Sequence, residues 1–283
     1  MNIPEHQELA APDSWCTVDV ISDLHLQAGL GHVDVWVNYL NTTTADALFI
    51  LGDLFEVWVG DDAYPSIAFP QIFENQCLDH LKAASLRLPI FVMHGNRDFL
   101  LGSAAAALGG FSLLTDPCVL SFLGKRWLLT HGDALCTGDT AYQAFRNRVR
   151  SSAWQTEFLA QPASVRHQAA QQMRKQSQEQ QAKHQAEPLK ADLDVNNALA
   201  LQWLQAFKAD VMIHGHTHRP ADHPLSAAHV RMVLSDWDVD VQNSAASQRA
   251  EALRLSAPAL SPPNSPSKVQ VKRMNLITSS ATP

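Results

Sequence analysis

Hydrophobic positions along the chain fall into two textures. Residues 17–22 (TVDVIS), 47–51 (ALFIL) and 89–94 (PIFVMH) are short, apolar, β-branched runs, each followed by a polar turn. Runs of that length predict strands buried on both faces, and the helical patterns between them give an α/β signature. Residues 118–122 and 126–131 flank Leu123-Gly124-Lys125, which predicts a hairpin with a three-residue connection. Further strands are expected at 210–214, 229–235, 237–242 and 269–277. Strands both early and late, with helices packed outside them, predict an α/β two-sheet β-sandwich flanked by helices.

The second texture covers 139–207, where Gln, Ala, Arg and Lys dominate and β-branched residues are scarce. Its interruptions at Pro162 and Pro188 divide it into several helices. It reads as a helical cap inserted between the two parts of a core, 15–138 and 208–283. The cap carries large apolar groups at Tyr142, Phe145, Val149, Trp154, Phe158 and Leu159, and bases at Arg146, Arg148, Arg150, Arg166, Arg174 and Lys175. On composition alone that reads as an ordinary solvated helical insertion, while the pairing of apolar and basic groups also suits acyl chains and anionic headgroups. Residues 245–268 are rich in Ala, Ser and Pro and read as a mobile loop before the last strand.

Composition narrows the classes. The 283 residues are 46% hydrophobic and 17% charged, enough for a sizeable core. A formal net charge of −7 argues against a nucleic-acid partner. Four scattered cysteines, with no CxxC pair, fit a reducing compartment rather than a disulfide framework. The N-terminal residues lack an export signal, and no run reaches the length of a membrane span. The expected localisation is therefore cytoplasmic, with any membrane contact made from that side.

Five polar clusters punctuate the chain, mostly just after expected strands: Asp23-Leu24-His25, Gly52-Asp53, Gly95-Asn96-Arg97-Asp98, His131-Gly132-Asp133 and His214-Gly215-His216-Thr217-His218. Alone, each has an ordinary reading: Asp23 or Asp53 as a helix cap, Asn96 as a turn residue, His131 as a core histidine. In an α/β sheet, however, groups beyond the carboxyl ends of strands converge. Mixed imidazole, carboxylate and amide ligands suit Mn²⁺, Fe or Zn²⁺, and paired ions of this kind neutralise phosphoryl charge while generating hydroxide near neutral pH.

The words SDLH, LGDLFEVWVGDD, HGNRD, THGD and HGHTHRP resemble the ordered blocks of the calcineurin-like metallophosphoesterases. That resemblance implies Asp23, His25 and His216 on a first metal, Asn96, His131 and His214 on a second, and Asp53 bridging them, with His218 outside. Arg97 would bind the scissile phosphate, and Asp53, Asn96, Arg97 and His131 would carry the catalysis. His94, Asp98 and Asp133 would orient the ligands.

The longer words, including HGDALCTGDTAYQAFR, are similar to the UDP-2,3-diacylglucosamine diphosphatase family. By that resemblance the substrate contacts are Asn96, Arg97, Asp139, Ser177, Lys183 and His214. The implied activity is Mn²⁺-dependent hydrolysis of the UDP-2,3-diacylglucosamine pyrophosphate to UMP and 2,3-diacylglucosamine 1-phosphate in lipid A biosynthesis. It would occur at the cytoplasmic face of the inner membrane, with no obligate protein partner. Rival readings are a hydrolase of soluble nucleotide-diphosphate compounds or cyclic nucleotides, and a noncatalytic scaffold of the same fold.

Overall fold

The computed structural model describes residues 3–64, 72–185, 194–239, 248–258 and 269–277, without the side chains of 176–185. Two six-stranded sheets stack face to face. One runs β12 (Gln270–Asn275), β11 (Glu251–Ser256), β2 (Thr17–Ile21), β3 (Ala47–Leu51), β4 (Ile90–Met93), β5 (Ser112–Leu114). The other runs β1 (Gln7–Ala10), β6 (Cys118–Phe122), β7 (Lys125–Thr130), β8 (Val211–His214), β10 (Val230–Val233), β9 (Ala221–Pro224).

Strand alternation explains the layering. In β3, Ala47, Phe49 and Leu51 enter the core between the sheets with Val18, Val20, Trp127, Leu129 and Ile213. Leu48 and Ile50 face the other way, into the core beneath helices α1 (His32–Thr42), α2 (Phe73–Ser85) and α3 (Ser103–Gly109). Both faces are buried, hence the unbroken apolar run. Asp19 on β2 is fully buried among Tyr39, Thr43 and Arg254, whose Nε lies 2.7 Å from Oδ1. This pairing is what makes its burial tolerable.

Four helices follow β7: α4 (Thr140–Val149), α5 (Ser152–Leu159), α6 (Ala163–Gln185) and α7 (Asn197–Ala206). Pro162 stands just before α6, while Pro188 lies outside the described residues. Helix α7, expected in the cap, instead buries Ala200, Trp203 and Leu204 against Val119, Leu128 and Met212 on the outer face of the second sheet. Phe158 is buried in the main core, and Trp154 stacks on it at 4.6 Å. These cap aromatics therefore serve as anchors of the cap.

Three local expectations are corrected. The β6–β7 hairpin turns on two residues, Leu123 and Gly124, both at positive φ (50° and 72°), as the twist of a tight hairpin demands. No strand spans 237–242 among its described residues, where Asp238 makes only an isolated bridge to Arg249. The stretch read as a loop contains β11, which pairs β2 and β12 and buries Ala252, Leu253 and Leu255. Of the rest of that stretch, 245–247 and 259–268 lie outside the described residues. Leu255→Ala should accordingly lower unfolding stability by about 3 kcal/mol, as for a core leucine. Denaturant unfolding that shows no loss would mean β11 contributes nothing to the core.

A candidate dinuclear metal centre

The ends of β2, β3, β4, β7 and β8 open on one edge of the sandwich, and the polar clusters meet there. Asp23, His25 and His218 present ligand atoms within 4.8 Å of one another, as do Asp23, Asp53 and His131. His218 Nε2 lies 3.4 Å from Asp23 Oδ1 and 3.3 Å from His25 Nε2. Asp53 Oδ2 lies 3.8 Å from His25 Nε2 and 3.9 Å from His131 Nε2, between the two groups. On the far side, Asn96 Oδ1 is 3.0 Å from His131 Nε2 and 2.9 Å from His216 Nδ1. Ligands about 2.1 Å from one ion stand about 3.0–3.4 Å apart, a spacing close to that of His218 with Asp23 and His25 and of Asn96 with His131 and His216, while Asp53 stands wider.

The nitrogens that turn away face polar groups, and that of His131 is hydrogen-bonded. His131 Nδ1 donates to the Leu51 carbonyl at 2.9 Å. His25 Nδ1 faces Glu56 Oε2 at 2.7 Å, and His218 Nδ1 faces Asp236 Oδ2 at 3.6 Å. Asp236 is itself clamped by Arg249 at 2.7 and 2.9 Å. Such partners fix the tautomer and aim the free lone pair. Arg97 Nε is buried without a hydrogen-bond partner, while its backbone N–H donates to Asp53 Oδ1 at 2.8 Å.

His214 does not join the cluster. It is fully buried, with Nδ1 against the Gly215 carbonyl at 2.8 Å and Nε2 accepting from Arg231 at 3.1 Å. Both nitrogens are occupied, so the pair expected at His214 and His216 becomes His216 and His218. The backbone shows why. Asp23, His25, Asp53, His216 and His218 all have left-handed φ between 48° and 66°, whereas His214 ends an extended strand. The only other non-glycine positions of that kind among the described residues are Leu123 and Lys208. Strain of this sort costs roughly 1–3 kcal/mol each and gathers where function demands it. Close approach demands glycine: a Cβ on Gly215 would stand 2.1 Å from Asp23 Oδ2, and one on Gly95 would stand 2.0 Å from Asp53 Oδ1. Read with Gly215 as its glycine, the G-H-x-H word itself names His216 and His218; the signal was present in the sequence.

Other expected residues take supporting places. Asp98 accepts from the Leu54 and Gly95 amides at 2.8 Å each, and His94 Nε2 lies 2.6 Å from the Leu101 carbonyl. Asp133 accepts from Tyr142 at 2.6 Å and Arg146 at 2.8 Å, tying α4 to the site. Asp139 caps α4, accepting from the Tyr142 amide at 2.8 Å. The side chains of Ser177 and Lys183 lie outside the described residues. Glu56, Asp236, Arg231 and Arg249 were not singled out from the sequence, because isolated charged residues after a strand carry no distinguishing spacing.

The charge balance fits divalent cations. Burial opposes a charge on His25, but Glu56, Asp53 and Asp23 outweigh it and raise the imidazole to about 9. Burial pushes Asp53 up. Asp98 and Asp23 also push Asp53 up, a repulsion among buried carboxylates that cations would relieve. His216, by contrast, is held down to about 3 by burial and the neighbouring His131 charge, which keeps it neutral and able to donate a lone pair.

Most of the chain is similar to known proteins. Residues 16–220 match the profile of the calcineurin-like phosphoesterases. The chain is 44% identical over 228 residues to the UDP-2,3-diacylglucosamine hydrolase of Xanthomonas campestris pv. campestris, covering 77% of this chain and 90% of that one. It is 43% identical over 226 residues to the protein of the same name from Xanthomonas axonopodis pv. citri, with the same coverage. The Stenotrophomonas maltophilia protein of that name is 42% identical over 227 residues, covering 77% and 89%.

Proposed function

Because the chain belongs to the calcineurin-like phosphoesterases, and within them to the UDP-2,3-diacylglucosamine hydrolases, it is a metal-dependent hydrolase, and we propose that it splits the pyrophosphate of UDP-2,3-diacylglucosamine into UMP and 2,3-diacylglucosamine 1-phosphate with Mn²⁺ as its cofactor. The observation that carries this reading is Asp53 Oδ2 standing 3.8 Å from His25 Nε2 and 3.9 Å from His131 Nε2, beside Arg97 and in a cluster whose two donor groups both include Asp23. Asp23, His25, His218 and Asp53 would hold one ion; Asp53, Asn96, His131 and His216 would hold the other. Two ions in such a site neutralise phosphoryl charge and lower the pKa of a water.

The chain's own groups do the positioning. Arg97, fixed through its amide to Asp53, offers a planar guanidinium to the phosphate oxygens. Asp133 holds Arg146 and Tyr142 at the mouth of the cleft, and Arg150 donates to the Gly95 carbonyl at 2.8 Å. These contacts keep positive charge around an anionic substrate without placing it among the ligands.

The reading includes peripheral placement on the cytoplasmic face of the inner membrane, with the cap toward lipid. It is supported by Leu159 and Val165, which lie exposed near the α5–α6 junction, since Trp154 and Phe158 are engaged inside the protein. No helix among the described residues is long and apolar enough to cross a membrane. Purified protein with Mn²⁺ should release UMP from UDP-2,3-diacylglucosamine at least about tenfold more efficiently, in kcat/KM, than from the same sugar nucleotide without acyl chains. Burying even a few methylenes, at roughly 0.8 kcal/mol each, exceeds that factor. Equal efficiency on both would favour a hydrolase of soluble nucleotide-diphosphate compounds.

A further inference from the structure

Glu56 sits three residues after Asp53 and is only 9% exposed. Its two oxygens face different parts of the molecule. Oε2 lies 2.7 Å from His25 Nδ1, the nitrogen turned away from the metal centre. Oε1 lies 3.0 Å from Nε of Arg174, on helix α6 of the cap, and 3.9 Å from Nε of Arg97. Arg174 also donates from its terminal nitrogen to Gln27 Oε1 at 3.0 Å, two residues beyond His25. About two turns earlier, roughly 12 Å along the helix, the buried Arg166 donates to Asp62 and to the Val59 carbonyl. Helix α6 is thus pinned to the segment after β3 at two points, and one of them is the carboxylate that faces a ligand.

We propose that Glu56 is a positioning residue that couples docking of the cap helix α6 to the first metal subsite, because the same carboxylate aims His25 and holds Arg174. An ion at His25 fixes the imidazole and so the orientation of Glu56. That orientation presents Oε1 to Arg174. Conversely, Arg174 in place prevents the carboxylate from swinging away from His25. Linkage makes the effect reciprocal: the factor by which the ion stabilises α6 is the factor by which docked α6 strengthens ion binding. A Glu56 that served His25 alone would leave α6 indifferent to the ion. Glu56→Gln separates the two roles, since the amide has one acceptor oxygen and can serve His25 or Arg174 but not both.

The inference rests on the ligand assignment proposed above. Its test uses the full-length protein with Mn²⁺ as the probe. Ion binding is followed by calorimetry, and amide hydrogen exchange over residues 163–175 is measured with and without Mn²⁺. In the wild type, Mn²⁺ should slow exchange in this helix. Glu56→Gln should weaken one of the two ions by roughly 10–100-fold, as for other partners of metal ligands, and should abolish the response of α6. Arg174→Gln, at a partly exposed position where folding is not at stake, should weaken the same ion by roughly tenfold, within the usual range of coupling. Wild-type affinity in both variants, or protection of α6 by Mn²⁺ that is unchanged in them, overturns the coupling. A wild-type protein that binds two ions with no change in α6 overturns it while leaving the hydrolase reading intact; one that binds no ion overturns both.

Discussion

Asp53→Asn should lower kcat by at least about a thousandfold, with bound Mn²⁺ falling from two ions per chain to fewer. The carboxylate is 2% exposed and stands between the two donor sets, 3.8 Å from His25 Nε2 and 3.9 Å from His131 Nε2. In the ligand assignment proposed above it would serve both subsites. Its other oxygen accepts from the Arg97 amide at 2.8 Å, a contact asparagine can keep. The substitution therefore preserves shape and removes charge. A loss of about 4 kcal/mol of transition-state stabilisation corresponds to three orders of magnitude in rate. Folding should survive, because burial already disfavours the charged form of this group. Metal analysis beside circular dichroism would separate the effects, and a variant with two ions and full turnover would refute the bridging role.

The second large effect separates two histidines that the sequence makes look alike. His218→Ala should remove one ion and lower kcat/KM by a hundredfold or more, equivalent to about 3 kcal/mol, because Nε2 completes the group with Asp23 and His25. His214→Ala should keep two ions. It should instead destabilise the fold by roughly 1–3 kcal/mol, since the Arg231 guanidinium and the Gly215 carbonyl lose a buried partner. Calorimetric metal counts and denaturant midpoints on both variants decide the matter. The reverse pattern, with His214→Ala losing the ion, would restore the ligand pair first read from the sequence.

This error marks what the sequence could convey. His214, His216 and His218 alternate, and alternation alone satisfies any pairing two residues apart. What separates them is the left-handed turn beginning beyond Gly215, which the sequence marks only through the glycine that opens the G-H-x-H word. Asp23, His25, Asp53, Asn96 and His131 were legible because each follows a strand buried on both faces, whose apolar run ends abruptly. β2, β3, β4 and β8 were legible for the same reason. β1 and β9 were not, being short edge strands with half-exposed, polar patterns. β11 was hidden by its surroundings: Ala252, Leu253 and Leu255 belong to the core, but the Ala/Ser/Pro-rich sequence around them resembles a linker. The cap aromatics suggested a lipid surface, whereas Phe158 and Trp154 turned inward because a short helix pair must first bury its own anchor.

The stretch from Asp53 to Asp62 acts as a ruler. Asp53 sits between the ion sites, Glu56 meets Arg174, and Trp58 donates to Asp61 at 3.0 Å. Asp61 receives the Gly102, Ala104 and Ala105 amides at the start of α3, and Asp62 meets Arg166. Three separate parts of the molecule, the ion sites, α3 and two points on α6, are thus indexed to fixed marks on one ten-residue span. Inserting or deleting a single residue would move every later mark out of register with its partner, and no compensating side-chain change could restore all of them. A substitution at an unmarked position of this span should therefore cost far less than a change in its length.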